Sequence, residues 1–389
     1  MSVIASYKRT PFGRLLGSLS TLSASELGAV AVRAALEAVN VAPQDVDISV
    51  VGHVLQAGAG QNPGRQTAVA SGIPLNVPAI TLNAVCLSGM EAITYGHRMI
   101  HSGEASIVVC VGQESMSNAP HVMKNSRTGT KYGSMEVIDS LELDGLTDVF
   151  GQCSMGISTE EGNSERGWAR EAQDTWAALS HQRASKNIDF LSGEIAPVLI
   201  EHRKGSVVVD SDEGIRGETT VETLAELRPA FAKGGTITAG NASPISDGAA
   251  CVVLMSEEMA KSRGIRGIAR IISHAFVAGP DTQLHSQPSS ALTAALAKVD
   301  KNVAECRALE INEAFASVVL QSITDLDVDK TLVNRRGGAI ALGHPIGASG
   351  TRIVGTLARE ISLMGAGALG GAGICGGGGQ GSAIILEAL

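Results

Sequence analysis

The chain has 389 residues, 44% of them hydrophobic and 18% charged, which describes a folded globule and excludes a disordered chain. At this length two or three structural units are expected. A net charge of −9 excludes the basic face of a general nucleic-acid binder, although Arg335-Arg336 or Arg216 can still hold an anion locally.

In chain order, Met1 to Gly13 reads as a short strand running into a Pro-Phe-Gly turn. It lacks the basic stretch and apolar run of a secretory leader. Ser23 to Val39 carries helical periodicity, and Ser23 with Glu26 fits a capping box. Asp47–Val51, Pro78–Thr81 and Ser106–Cys110 read as strands, and Cys86 to His101 as a helix. From about Gln113 to Asn241 the chain turns polar and irregular, above all at Met123 to Met135, with a helix at Arg170 to Asn187. A long structured insertion of this kind is usually functional. Gly248–Leu254 returns to a strand, and the last third repeats the α/β alternation up to the strand Ser382–Glu387. Ile361 to Leu386 carries no charge, yet the glycines at 376–379 make it a buried strand–loop–strand and not a membrane span. With aromatics at 3%, the core must be built mainly from Ala, Val, Ile and Leu.

The six cysteines (Cys86, Cys110, Cys153, Cys251, Cys306 and Cys375) form no CxxC pair, zinc ribbon or disulfide framework. Reduced thiols in a cytoplasmic protein are the expectation, with one or two free for catalysis.

Four segments carry chemistry. In Thr81–Met90 an apolar strand runs into Cys86, which is expected to open a helix whose inward face holds Met90, Ile93, Thr94 and His97. A thiol there meets the positive end of the helix dipole, which favours the thiolate. A lone cysteine is more often a small core residue, and this segment alone leaves both readings open. Asn312, in Glu310–Ala316, is placed to cap the helix whose apolar face is Phe315, Val318, Val319 and Ile323, or to hold a water or an oxyanion. His344 lies between Gly343 and Pro345, on a glycine-rich loop before a helix with Ile353, Val354, Leu357 and Ile361 inward. Lone histidines are usually structural, but one in such a loop fits an acid, base or donor. Cys375 ends a strand and meets four glycines, whose bare N–H groups can serve an oxyanion or form a plain turn.

Taken together, these segments resemble the thiolase family over essentially the whole chain, from Arg9–Gly13 through Gly112–Ser117 and Thr238–Ser243 to Cys375–Gly381. The resemblance implies two similar α/β halves forming a five-layered α/β/α/β/α core, with a loop domain inserted in the first. The corresponding boundaries are 1–116 plus 247–266, 117–246 and 267–389. It implies that Cys86 is acylated, that His344 activates it and then binds the thioester oxygen, and that Cys375 moves the proton at the attacking carbon or leaving thiol. Asn312 would position a water in one oxyanion hole, and the N–H groups of Cys86 and Gly377 would form the other. Leu146, Met155, Arg216, Ala239, Ser243, Ala314 and Phe315 match positions lining the coenzyme A (CoA) moiety.

The implied reaction is the reversible condensation of two acetyl-CoA to acetoacetyl-CoA and CoA, with CoA as substrate and product and no metal or redox cofactor. The implied assembly is a homotetramer, a dimer of dimers, to which the segment Met123–Met135 would contribute. No nucleic-acid or membrane partner is expected. Leu87, Ser154, Pro244 and Arg335-Arg336 depart from the family pattern and bear on acyl preference, whereas Met155 keeps the short-chain pattern. The alternatives are a degradative 3-ketoacyl-CoA thiolase acting on longer chains, a decarboxylating ketoacyl synthase, and a non-catalytic acyl-CoA or lipid-binding relative. Cys375 argues against the synthase, which has no role for a second cysteine.

Overall fold

In the computed structural model, which describes residues 1–202 and 205–389, the apolar runs pair into one continuous sheet of nine main strands, with the two-residue strand Gly13–Arg14 as a tenth, among those residues. Five main strands belong to the first half: β1 (Ser2–Arg9), β2 (Ile48–Gly52), β3 (Ala79–Leu82), β4 (Ile107–Ser115) and β5 (Ser246–Ser256). They lie in the order β3-β2-β4-β5-β1, parallel from β3 to β4 and antiparallel from there to β1. The second half holds β6 (Ala269–Ala278), β7 (Cys306–Ile311), β8 (Leu369–Gly376) and β9 (Gln380–Ala388), in the order β6-β9-β8-β7. A short antiparallel pairing of Ser2–Ile4 with Ala269–Ile271 joins the halves.

The helices of the first half are α1 (Ala24–Glu37), α2 (Pro63–Ala70) and α3 (Ser88–His101). Between β4 and β5 lie α4 (Met155–Arg166) and α5 (Arg170–Lys186), and the second half adds α6 (Gln287–Ala297), α7 (Ala316–Leu326) and α8 (Ser349–Ser362). Helices α1 and α2 cover the outer face of the first half-sheet, and α6, with α7 beside it, covers that of the second. Helices α3 and α8 lie side by side between the half-sheets and touch strands of both. The result is the expected order of helix, sheet, helix, sheet, helix. Strands covered on both faces read as continuous apolar runs, and β4 and β5 are buried along almost their whole length.

Several expectations hold closely. The Ser23–Glu26 capping box is present, and Ile353, Val354, Leu357 and Ile361 are all buried on α8. The uncharged tail is a helix end followed by the β8–β9 hairpin, and no helix of the described residues is long and apolar enough to cross a membrane.

Two helices start later than the sequence predicts. Helix α3 begins at Ser88 rather than Cys86, because Val85 takes a left-handed conformation with φ of 52° and breaks the turn. Helix α7 begins at Ala316, so Asn312 caps nothing. Residues 312–315 stay extended because the 241–243 segment pairs with them: Ser243 N–H donates to the Ala314 carbonyl at 3.1 Å, and Ala316 N–H to that of Asn241 at 3.0 Å.

Two close approaches decide where the site forms. A Cβ on Gly89 of α3 would lie 2.6 Å from the Gly347 carbonyl oxygen, and one on Gly350 of α8 would lie 2.4 Å from the Met90 nitrogen. Only glycine lets the two central helices come this near, and their N-terminal ends therefore meet. The inserted segment is anchored to this core by buried charge. Arg9 on β1 pairs with Glu194 at 2.9 Å and Asp212 at 2.6 Å. Glu313 accepts from Trp176 Nε1 at 3.0 Å and Ser180 Oγ at 2.7 Å on α5.

Candidate active site

Cys86 sits on a tight turn between β3 and α3. Val85 N–H donates to Asn83 Oδ1 at 2.9 Å, and the Ser88 hydroxyl accepts from Ala84 N–H at 2.9 Å while donating to the Val85 carbonyl at 2.6 Å. These bonds hold Val85 in a conformation that is rare for a β-branched residue. The outcome for the thiol differs from the dipole argument. Burial pushes it up to about 12, against the lowering effect of the Cys86 and Gly377 N–H groups aimed at it. Helix α3 starts two residues too late to reverse this, so Cys86 rests as a neutral thiol.

His344 is buried in the loop before α8. Its backbone N–H donates to Ser246 Oγ at 3.1 Å, and its Nδ1 lies 2.6 Å from Ser349 Oγ. The Ser349 hydroxyl donates its single proton to the Pro345 carbonyl at 3.0 Å. It can therefore only accept from His344, which places the imidazole proton on Nδ1 and leaves a lone pair on Nε2. That Nε2 is buried without a hydrogen-bond partner among the described residues. Burial, with a smaller contribution from Arg352, lowers the His344 pKa to about 3, so the ring is neutral at rest. Glu114, at the end of β4, accepts from Gly347 N–H at 3.0 Å and from Val54 N–H at 3.1 Å, which fixes the same loop from behind.

Cys375 lies near the end of β8, where Gly376 pairs with Gln380 across the hairpin and Gly377 begins the turn. Its thiol is raised well above the ordinary range by burial and by the neighbouring Cys86. Asn312 follows β7 directly and donates its N–H to the Gly373 carbonyl at 3.0 Å. Its side chain is fully buried, and neither amide atom has a partner among the described residues. An unpaired amide in such a place calls for a water or a ligand.

The structure brings Cys86, His344, Cys375 and Gly377 to the wall of one cavity of about 380 Å³, with Asn312 buried outside its lining. Of the expected CoA-lining residues, Leu146, Met155, Ser243, Ala314 and Phe315 line this cavity. Arg216 and Ala239 instead line a second cavity of about 320 Å³. The two are neighbours, since Ser243 faces the first and Pro244 the second. Arg216 has no carboxylate partner among the described residues, which suits it to an anion. Arg335 and Arg336 do not form the expected anion cluster: both reach Glu360, at 3.3 and 2.6 Å, and Arg336 stacks on Phe190.

Phe231, Leu284 and Ile346 also line the first cavity and were not singled out by the sequence. Phe231 carried a signal, as one of only six phenylalanines and set in a polar stretch. Ser154 lines the cavity too, but its hydroxyl is engaged as the cap of α4, accepting from Ile157 N–H at 3.2 Å.

Comparison with known proteins agrees with this arrangement. Residues 2–258 match the thiolase N-terminal domain and residues 265–388 the thiolase C-terminal domain. The chain is 49% identical to a probable acetyl-CoA acetyltransferase of Mycobacterium leprae, covering 100% of this chain and 99% of that protein. The crystal structure of the Bacillus anthracis acetyl-CoA acetyltransferase superposes with a TM-score of 0.96 at 37% identity, covering 100% and 98% of the two chains. That of human mitochondrial 3-ketoacyl-CoA thiolase in complex with CoA does so with a TM-score of 0.94 at 38% identity, again covering 100% and 98%. Two thiols, an oriented imidazole and a glycine turn in one apolar cavity, on a fold shared along its full length, thus have one reading: the chain belongs to the thiolase family.

Proposed function

We propose that the protein is an acetyl-CoA C-acetyltransferase that condenses two acetyl-CoA to acetoacetyl-CoA and CoA, and runs the reverse thiolysis. The observation that carries this is the meeting of Cys86, Cys375 and the free Nε2 of His344 in one apolar cavity.

In the first half-reaction the Cys86 proton passes to His344 Nε2 as the sulfur attacks the acetyl carbonyl. The CoA sulfur leaves with the Cys375 proton, so Cys375 becomes a thiolate and the acetyl group stays on Cys86. In the second, the Cys375 thiolate takes a methyl proton from a second acetyl-CoA, and the resulting enolate attacks the acyl-cysteine; the bond to the Cys86 sulfur breaks, acetoacetyl-CoA is released, and Cys86 recovers its proton from His344. A thiol with a raised pKa gives a strongly basic thiolate, which suits the removal of a weakly acidic proton. The Cys86 and Gly377 N–H groups face the acyl oxygen, while His344 and a water on Asn312 face the enolate oxygen. Each such donor is worth ~3 kcal/mol, or about 100-fold in rate. Two covalent half-reactions make the scheme ping-pong, with no metal or redox cofactor.

Relatives named acetyl-CoA acetyltransferase, at 42–49% identity over the full length, favour the four-carbon product over longer chains. CoA would extend from the catalytic cavity towards Arg216. Thiolysis of acetoacetyl-CoA beside longer 3-ketoacyl-CoA substrates tests the reading. Activity concentrated on the four-carbon substrate is expected; activity rising with length would assign the protein to the degradative class. A homotetramer in the cytoplasm completes the proposal. Light scattering should return four times the 39.9 kDa chain mass, and a monomer mass would refute the assembly.

A further inference from the structure

The two residues that flank Cys86 both reach across to the glycine turn that follows Cys375. Leu87 is wholly buried, and its Cγ, Cδ2 and Cδ1 atoms lie 2.7, 3.1 and 3.3 Å from where a Cβ on Gly376 would stand. Its side chain therefore occupies the place a side chain at position 376 would need. Val85, in its left-handed conformation, puts Cγ1 3.4 Å and Cγ2 3.8 Å from the corresponding point on Gly377. Leu87 is held from behind by a close-packed core that includes Met90, Ile93 and Ile374, so it cannot retreat from the turn.

The geometry points to Leu87 and Val85 as positioning residues: together they brace the Gly376–Gly377 turn against Cys86 and so set the separation of the Cys86 and Gly377 N–H groups. The inference rests on the proposed function, because that separation matters only if an acyl oxygen binds between the two groups. It also accounts for two local features. The strained conformation at Val85 is what directs its side chain across the site to Gly377. Gly376 is required by occupancy and not by backbone angle, since its φ lies outside the left-handed region.

The test uses two rates on the full-length protein. One is exchange of the acetyl group between acetyl-CoA and labelled CoA, which needs the oxyanion site. The other is alkylation of Cys86 by iodoacetamide, which needs the sulfur and its His344 base but no bound acyl oxygen. Gly376→Ala should push the turn off Leu87 and slow exchange about 100-fold, as loss of one oxyanion donor does. Alkylation should be little changed. Leu87→Ala with Gly376→Ala should recover exchange by at least about tenfold over Gly376→Ala alone, because the new methyl group then has room. Leu87→Met, which keeps the volume, should retain wild-type exchange, and Val85→Ala should slow exchange with alkylation preserved. Wild-type exchange in Gly376→Ala, or no recovery in the double variant, would overturn the brace. A Val85→Ala protein with unaltered exchange would remove Val85 from it. Wild-type protein without exchange would instead overturn the proposed function itself.

Discussion

The Ser349 hydroxyl decides which nitrogen of the His344 imidazole carries the proton. With its proton committed to the Pro345 carbonyl, it accepts from His344 Nδ1, and Nε2 is left free to take a proton from Cys86. Ser349→Ala removes the acceptor that selects this tautomer. Acetyl exchange should fall by about 100-fold, the lower range of what a positioned general base contributes. CoA binding should persist, and Ser349→Thr, which keeps the oxygen, should restore most of the rate. An alanine variant with unchanged exchange would refute the assignment. At this scale the sequence was informative wherever a polar side chain is set between glycines or at the end of an element, as with Cys86, His344 and Cys375, which share one cavity. It was silent on Ser349, because an i to i+5 contact depends on how the loop folds back. Of the two readings it left open for Asn312, the helix cap was cancelled by strand-like pairing with residues far away in the chain. It also misjudged the Cys86 thiol, since burial is a property of the assembled cavity and not of the helix that follows.

Elements meet at this site because α3 and α8 approach through glycine. A methyl group on Gly350 would lie 2.4 Å from the Met90 backbone nitrogen, where nothing flexible can yield. Gly350→Ala should therefore push the helices apart and lower stability by about 1–3 kcal/mol, the usual range for overpacking. Because the turns leading into the two helices carry Cys86 and His344, exchange should fall more steeply than thermal stability. Retention of both the melting temperature and the exchange rate would show that the helices have slack. The strands and helices themselves were largely legible from periodicity, as the matches at α1, α5 and the β8–β9 hairpin show. Their mutual contact was not. A glycine inside a helical pattern reads as a weak helix former until the neighbouring backbone is in view.

Across the whole molecule, folding encloses five histidines in settings that disfavour their charge. Burial lowers His97, His181, His274 and His285 to about 4, and His344 to about 3. An unfolded chain protonates its histidines at about 6.5, so between that pH and the lowered values the unfolded state binds more protons. Stability that is complete above pH ~6.5 must then fall as the solution is acidified through this window, by about 1.4 kcal/mol per pH unit for the enclosed His344. Glu310 acts in the opposite sense: burial raises its carboxyl to about 8, so a difference between two proteins is more informative than one curve. His285 suits that comparison. It is fully buried, its Nε2 lies 2.8 Å from Asn163 Oδ1, and it lies outside the lining of the cavity that holds Cys86. Glutamine at this position can still donate to Asn163 but cannot gain a proton. His285→Gln should therefore show a shallower loss of melting temperature than wild type between pH 6.5 and 4.5, with the two slopes equal above pH 7. Parallel curves through the acid range would mean that His285 is charged in the folded protein, and burial would then not be what governs these rings.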